Sequence, residues 1–442
     1  MKQFHRRSVL SGLLAGSAGL AWPCGGIAAD LDAALRVDAG RLRQNIEDFS
    51  MFGRKPGGSF ADGVSRFAYS DADIAGRKFA MNLLHAAGAE PRIDAAGNIL
   101  ARREGSRPDL KPIMIGSHID SVPDGGNFDG VLGSMSAIEV LRTLNENHFK
   151  LRHPLEIALW SNEEGGLIGS GAAGGVVKPE ILGVTLNGIR RIDGVRRIGG
   201  DPDHLAAAHL EPNSRAAYVE LHIEQSGRLE KAGTAIAIVD GIVAIDEYEV
   251  EIIGFANHAG TTPMADRHNA LLAAAKLIEA VQEEITREPG WQVGNVGHLE
   301  VYPNVRNIVP GRVFHTLELR DLDAAKVKMI GDRIIARSKT IATDTGTEIH
   351  IKLVEREPAA ISSPALQQKI ADAAKSIGLA TMHLPSGATH DGTMLTSIAP
   401  IGMIFVPSVA GISHSPKELT SWTDCANGAN VLLQTVLRLD RD

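Results

Sequence analysis

Cysteine is nearly absent from this chain: Cys24 and Cys425 are the only two. Removal of a leader would take the first, so no intrachain disulfide could form and any metal site would have to use histidine and carboxylate. Clustered basic charge is missing beyond the N-terminus, and a formal net charge of -8 leaves no electrostatic footprint for nucleic acid. Past residue 29 no apolar run is long enough to span a bilayer. Neither a G-x-S-x-G elbow nor a P-loop occurs, so serine-hydrolase and nucleotide-hydrolase chemistry have no residues behind them.

The N-terminus holds Arg6-Arg7, a small and apolar stretch from Val9 to Ala21, and a cleavage site near Ala28 or Ala29. This order is that of a twin-arginine export signal over 1–29, and it implies a periplasmic or secreted protein. Trp22 and Pro23 before Cys24 do not fit a lipobox.

At 442 residues, 44% hydrophobic and 22% charged, the chain can bury large cores and reads as two domains. From Asp71 to about Asp240, amphipathic helical segments (71–89, 130–146) alternate with continuous apolar strands (111–120, 154–164). That pattern predicts an α/β domain, a mostly parallel sheet with helices on both faces. Between about Gly241 and Glu355 the texture changes. In "EYEVEII", Tyr248, Val250 and Ile252 face one way and Glu247, Glu249 and Glu251 the other. A helix follows with Leu271, Ala275, Ile278, Val281 and Ile285 at helical spacing, ended by Pro289-Gly290. Strands at "GHLEVYP" and "RVFHTLELR", a helix from about Asp323 to Ala342 and the strand "TEIHIKLVE" complete a β-α-β-β-α-β order, the split βαβ (ferredoxin-like) sandwich. The expected organisation is a catalytic domain in two parts, 30–240 and 356–442, with an α+β domain inserted at 241–355. The second part carries a helix near Ser363, the strand "PIGMIFVPS" and a helix from about Thr423 to Leu439.

Chemistry-bearing residues gather where apolar runs end. "IMIGSHIDSVPDGGNFDGVLG" hands over to His118, Asp120, Asp124 and Asp129. Strands of open α/β sheets empty into their functional loops in this way. Four more clusters share that character: "WSNEEGG" with Glu163 and Glu164, "VELHIEQSGRLE" with His222, Glu224 and Gln225, "GATHDG" with His390 and Asp391, and "VAGISHSPKE" with His414 and Glu418. Adjacent carboxylates in a strand point to opposite sides, so one of the Glu163-Glu164 pair could bind metal while the other acts as base. The set permits two metals bridged by Asp129, with His118 and His222 completing one ligand triad and Glu164 and His414 the other. Nitrogen and oxygen donors suit zinc, and manganese or cobalt also fit. Asp120 is spaced to hold the second nitrogen of His118. "GSGAAG" from Gly169 satisfies G-x-G-x-x-G, but two glutamates separate it from the strand, so it predicts a close-packed wall and not a dinucleotide turn.

With all five clusters in order, the chain resembles the di-metal amidohydrolases of the hydantoinase/carbamoylase type, within a metallopeptidase superfamily that includes aminoacylases. The motifs are "GSHIDSVPDGGNFDG", "NEEG", "LHIEQ", "ANHAGTTPM", "PNVRNIVPG", "SGATHDG" and "FVPSVAGISHSPKE", from about residue 40 to the end. The resemblance implies His118, Asp129, Glu164, His222 and His414 as metal ligands and Glu163 as general base. It makes the inserted domain a lid and homodimerisation surface, whose His258 stabilises the oxyanion in the partner's site. Asn307, Arg320 and Gln225 would grip the substrate's carboxylate, and guanidinium suits that task. The chain departs from the family after "NEEG", where an Arg-Phe pair is missing, and at Asn269, where an acid is expected. The expected reaction is metal-dependent hydrolysis of a linear amide or ureido C-N bond, foremost an N-carbamoyl-L-amino acid. Allantoate amidohydrolase, an aminoacylase or dipeptidase, and a retired metal- or solute-binding scaffold are the alternatives.

Overall fold

Capping side chains set where several helices of this chain begin. The computed structural model describes residues 34–442, so the expected export segment at 1–29 lies outside the described residues. Helix α1 (Ala39–Phe49) starts at Asp38, whose carboxylate accepts Arg41 N–H at 3.0 Å, and α2 (Asp71–Ala86) at Ser70, whose hydroxyl accepts Asp73 N–H at 3.1 Å. Such caps satisfy amides that the first turn leaves unpaired, each worth about 1 kcal/mol.

A nine-stranded sheet forms the larger layer. In chain order its first strands are β1 (Pro91–Ile93), β2 (Ile99–Arg103), β3 (Ile113–His118), β4 (Leu155–Trp160), β5 (Ala217–Ile223) and β6 (Ile236–Ile242). Three more come from the C-terminal part. The segment between them forms a second sheet of β7 (Ala244–Ile253), β8 (Val293–Asn295), β9 (Leu299–Tyr302), β10 (Arg312–Asp321) and β11 (Glu348–Glu357). Then β12 (Ala360–Ile361), β13 (Thr381–Ser386) and β14 (Ile401–Val406) return to the first. The large sheet runs β1-β2-β4-β3-β5-β14-β6-β12, with β13 beside β6. Its centre, β4-β3-β5-β14, is parallel throughout, while β1, β2 and β12 add antiparallel flanks. Every residue of β3, β5 and β14 is buried, as continuous apolar strands covered on both faces must be. Helix α3 (Val131–Glu146) packs on β3 and β5, and the short helices α4 (Ile168–Gly174), α5 (Arg191–Arg197) and α6 (Arg228–Ala232) follow. Because the four central strands are parallel, their C-terminal ends His118, Trp160, Ile223 and Val406 share one edge. Active sites of such sheets form at this edge.

In the second sheet, β8-β10-β7-β11 with β9 beside β10, all pairings are antiparallel. Tyr248, Val250 and Ile252 are buried against helices α7 (Ala270–Thr286) and α8 (Ala324–Thr345), with Glu247 and Glu249 on the other face. The short strand β8 was not expected from sequence. The buried stripe of α7 is Ala273, Ala274, Leu277, Ala280, Val281 and Ile285, which corrects the expected one: Leu271 and Ala275 are exposed. The segment "ALLAAAKLIEAV" is apolar nearly all round, so spacing alone did not fix its facing side. Asn269, unexpected in place of an acid, is the N-cap of α7 and accepts the Leu271 and Leu272 amides at 3.0 and 3.2 Å.

Candidate metal centre

Four donors gather around one carboxylate, Asp129, at the C-terminal edge of the central strands. Asp129 Oδ1 lies 3.4 Å from His118 Nε2 and 3.1 Å from His222 Nε2, while Oδ2 lies 3.4 Å from His414 Nε2. Glu164 Oε2 is 3.4 Å from the same His414 nitrogen. Two triads result, His118/Asp129/His222 and Asp129/Glu164/His414, each with donor atoms within 4.8 Å of one another. His118, Asp129 and His222 are buried, Glu164 is half-buried, and the His414 side chain is 52% exposed.

The chain holds these donors by local wiring. His118 Nδ1 meets the Asp120 carbonyl at 3.1 Å, and His222 Nδ1 meets the Ile223 carbonyl at 3.0 Å. Carbonyls only accept, so each Nδ1 carries a proton and each Nε2 is the ring atom turned to Asp129. The Asp120 carboxylate does not take the role expected for it: Oδ1 stands 3.7 Å from His118 Nδ1. Its oxygens accept the Glu163 and Glu164 amides at 3.3 and 3.2 Å instead. The reason is that β4 stops at Trp160, so Glu163 and Glu164 lie in a turn and not in the strand, with Asn162 at φ 56. Asp120 braces that turn. Gly130, which starts α3 at φ +63, lies so close to His118 that an added Cβ would fall 2.4 Å from its imidazole Nε2.

Electrostatics follow from burying so many acids together. Burial drives the Glu163 carboxyl well above the usual range, with Asp391, Glu164 and Asp120 adding to the rise against His118. Burial and Asp129 raise Glu164 to about 7. Burial alone would raise Asp129 too, but His222, His118 and His414 overcome it and hold this carboxyl well below the usual range. Its hydrogen bond raises His414 to about 9. Glu164 Oε1 is buried with no hydrogen-bond partner, and three imidazole Nε2 atoms converge on an already ionised carboxylate. This donor set fits divalent cations: oxygen and imidazole ligands, three per ion, with Asp129 shared.

Around the centre, Ser413, Ser117 and Glu220, which the sequence did not single out, join Glu418 in completing the wiring. Ser413 Oγ donates to Asp129 Oδ2 at 2.9 Å and sits 2.8 Å from Glu418, whose other oxygen accepts the Phe128 and Asp129 amides at 2.8 and 3.1 Å. Buried Glu220 accepts Ser117 Oγ at 2.7 Å, two residues before His222 on β5. His390 is no ligand; its ring stands edge-on to His222 at 4.4 Å. Asp124 is exposed and paired with Lys55, away from the centre. Glu224 turns aside to accept the Arg228 and Leu229 amides, whereas Gln225, at φ 57, swings its Nε2 to Asp129 Oδ2 at 2.7 Å. A strand-like reading of that motif could not place this left-handed residue.

A cavity of about 440 Å³ adjoins the centre, lined among others by Gln225, Arg228, Trp291, Arg320 and His414. Arg320 gives Nε and Nη2 to Glu318 at 2.7 and 3.0 Å and Nη1 to the Gly387 carbonyl at 2.8 Å. Of five N–H donors two remain, one on each terminal nitrogen, the end-on fork a carboxylate accepts. Neither His258 nor Asn307 lines this cavity. They are exposed neighbours at a two-residue ribbon of 257–258 with 308–309, where Ala259 N–H donates to the Asn307 carbonyl at 2.9 Å. The segment after "NEEG", expected to shape the substrate pocket, lines a separate cavity of about 760 Å³ with Glu355–Pro358. "GSGAAG" is a buried wall, as expected: a Cβ on Gly169 would stand 2.1 Å from Asn98 Oδ1.

Comparison with known proteins agrees with this geometry. Residues 114–438 match Peptidase family M20/M25/M40. The chain is 39% identical over 409 residues to an N-carbamoyl-L-amino acid amidohydrolase of Geobacillus stearothermophilus, covering 91% of this chain and 99% of that protein. It is 35% identical over 427 residues to a ureidoglycolate hydrolase of Arabidopsis thaliana, covering 93% of this chain and 89% of that protein. Its fold is similar to that of an amidase of the hydantoinase/carbamoylase family from Burkholderia multivorans, with a TM-score of 0.85, 33% identity, and coverage of 92% and 99%.

Proposed function

The chain belongs to Peptidase family M20/M25/M40 and, within it, to the hydantoinase/carbamoylase amidases, and on that premise we propose that it hydrolyses an N-carbamoyl-L-amino acid to the L-amino acid, carbon dioxide and ammonia. The observation that carries this reading is the pair of donor triads sharing Asp129 beside an arginine-bearing cavity. Two divalent cations, zinc first among them and manganese or cobalt next, are the proposed cofactors. When bound they supply Lewis acidity, lowering the pKa of water and polarising the carbonyl.

The remaining steps belong to side chains. Glu163, 3.7 Å from His118 and buried among acids that favour its protonated form, accepts the attacking water's proton. It then returns that proton to the departing nitrogen as the C–N bond breaks. The carbamate released decomposes to carbon dioxide and ammonia. The terminal N–H fork of Arg320 takes the substrate's carboxylate, with Gln225 and Asn307 as the other proposed contacts. His258 accepts the Gly260 and Thr261 amides on Nδ1 at 3.1 Å each, so its proton resides on Nε2 as a donor for a developing oxyanion. Its distance from this chain's own cavity supports a homodimer in which residues 241–355 serve as lid and dimerisation domain and His258 serves the partner's site. Export through the twin-arginine segment is part of the same proposal.

A second reading has a specific observation behind it, the likeness to a ureidoglycolate hydrolase. It would make the substrate a ureido acid such as ureidoglycolate or allantoate. Ammonia release from N-carbamoyl-L-amino acids, ureidoglycolate and allantoate, and free amino acid release from N-acetyl amino acids, measured side by side on metal-loaded protein, separate the readings. The proposal expects the carbamoyl amino acids to be turned over fastest; turnover confined to another member of the panel refutes it.

A further inference from the structure

The cavity beside His414 holds a guanidinium that the reaction above does not use. Arg228 opens helix α6 (Arg228–Ala232), and its backbone is fixed on several sides. Glu224 accepts the Arg228 and Leu229 amides at 3.0 and 2.9 Å, and Glu230 accepts the Ala410 amide at 2.8 Å. The neighbouring loop is so close that a Cβ on Gly411 would stand 2.6 Å from Gly227 N. The Arg228 side chain crosses to the inserted segment, where its guanidinium carbon lies 3.9 Å from the centre of the Trp291 ring. Stacking on an aromatic face leaves the in-plane N–H groups free for a planar anion.

No acid claims them. Among the described residues Arg228 makes no ion pair, while Arg320 on the same cavity is already held by Glu318. Both Glu224 oxygens serve backbone amides. Val243, Val293, Leu384 and Pro385 supply an apolar lining, suited to a methylene stem. A half-buried arginine, pre-aligned by its stack and unpaired, is a recognition element for a carboxylate.

We propose that Arg228 on its Trp291 platform reads a second carboxylate, at the end of the substrate's side chain. The preferred substrates are then ureido or amido derivatives of dicarboxylic amino acids. This rests on the reading in which Arg320 takes the carboxylate next to the scissile bond.

The test compares isosteres that differ only in that charge. N-carbamoyl-L-glutamate should exceed N-carbamoyl-L-glutamine in kcat/KM by about tenfold to a hundredfold, the value of one charged hydrogen-bonded contact. Arg228→Met should bring the ratio near one, and Arg228→Lys should restore part of it. Equal hydrolysis of acid and amide by the unaltered protein, or a ratio that Arg228→Met leaves in place, overturns the inference while the functional reading stands. If no carbamoyl amino acid is hydrolysed, the functional reading fails, and calorimetry still decides the inference. Metal-loaded protein should bind glutarate about tenfold or more tighter than its half-amide glutaramate, a difference Arg228→Met erases. Equal affinities overturn it.

Discussion

The proposed chemistry turns on Glu163. Its amide is anchored by Asp120 and its carboxylate lies beside the first donor triad without belonging to either. Glu163→Gln keeps shape and hydrogen bonding but removes the base, so kcat should fall by about 10²–10⁴-fold while two metals per chain remain bound by elemental analysis. Near-normal turnover in that variant would take the base role from Glu163. A pH effect follows from the same cluster. In the metal-free chain, the Asp129 hydrogen bond raises His414 from 6.5 to about 9, and burial raises Glu164 from 4.5 to about 7. A raised base lends stability below its unfolded value and loses it as pH climbs through about 9. A raised acid adds a penalty as pH climbs through about 7. Glu164 therefore weakens the metal-free fold up to about pH 7 and His414 from about 6.5 to about 9, whereas cations bind the deprotonated donors more tightly over that range. The gap in Tm between loaded and chelator-treated protein should therefore widen from about pH 6 to about pH 8.5 in thermal unfolding. A constant or narrowing gap would mean these groups do not hold the metals.

Elements deliver those residues by ending at one edge. The turn from the loop after β3 into α3 passes through Gly130, whose positive φ and contact with His118 tolerate no side chain. Gly130→Ala should push the His118 ring aside and cost the fold about 1–2 kcal/mol in backbone strain. Metal stoichiometry should fall from two toward one, since the His414 triad is built elsewhere; full loading would show the close approach to be slack. This level is also where sequence reading succeeds and fails. Strand β3, helix α3, the alternating strand β7 and the helix beginning near Asp323 are legible because periodicity is a local property. The ligand residues are legible because apolar runs end in histidine and carboxylate. What sequence could not give depends on backbone departures from a strand. Glu163 and Glu164 lie in a turn after Asn162, Gln225 reaches Asp129 through its left-handed φ, and Asp120 braces a turn by its side chain while its carbonyl orients His118. The Arg228 stack on Trp291 joins positions far apart in the chain, and no local pattern announces it.

At the scale of the whole molecule, the two sheets divide the work. The nine-stranded sheet gathers the metal donors at one edge, and the inserted sheet brings Arg320 and Trp291 to the cavity beside them. Since β7 follows β6 within two residues and β11 precedes β12 by a similarly short link, the insertion hangs on a pair of adjacent strands. The arrangement accounts for a cavity walled by both parts. It also makes the central claim directly measurable, because hydrolysis must need both cations held around Asp129. Metal-free protein titrated with zinc or manganese, with ammonia release from an N-carbamoyl-L-amino acid followed at each addition, is the decisive measurement. The account predicts no release without metal and a plateau reached at two equivalents per chain. Full release from metal-free protein, or two equivalents bound with no release from any ureido or amido acid, would contradict it.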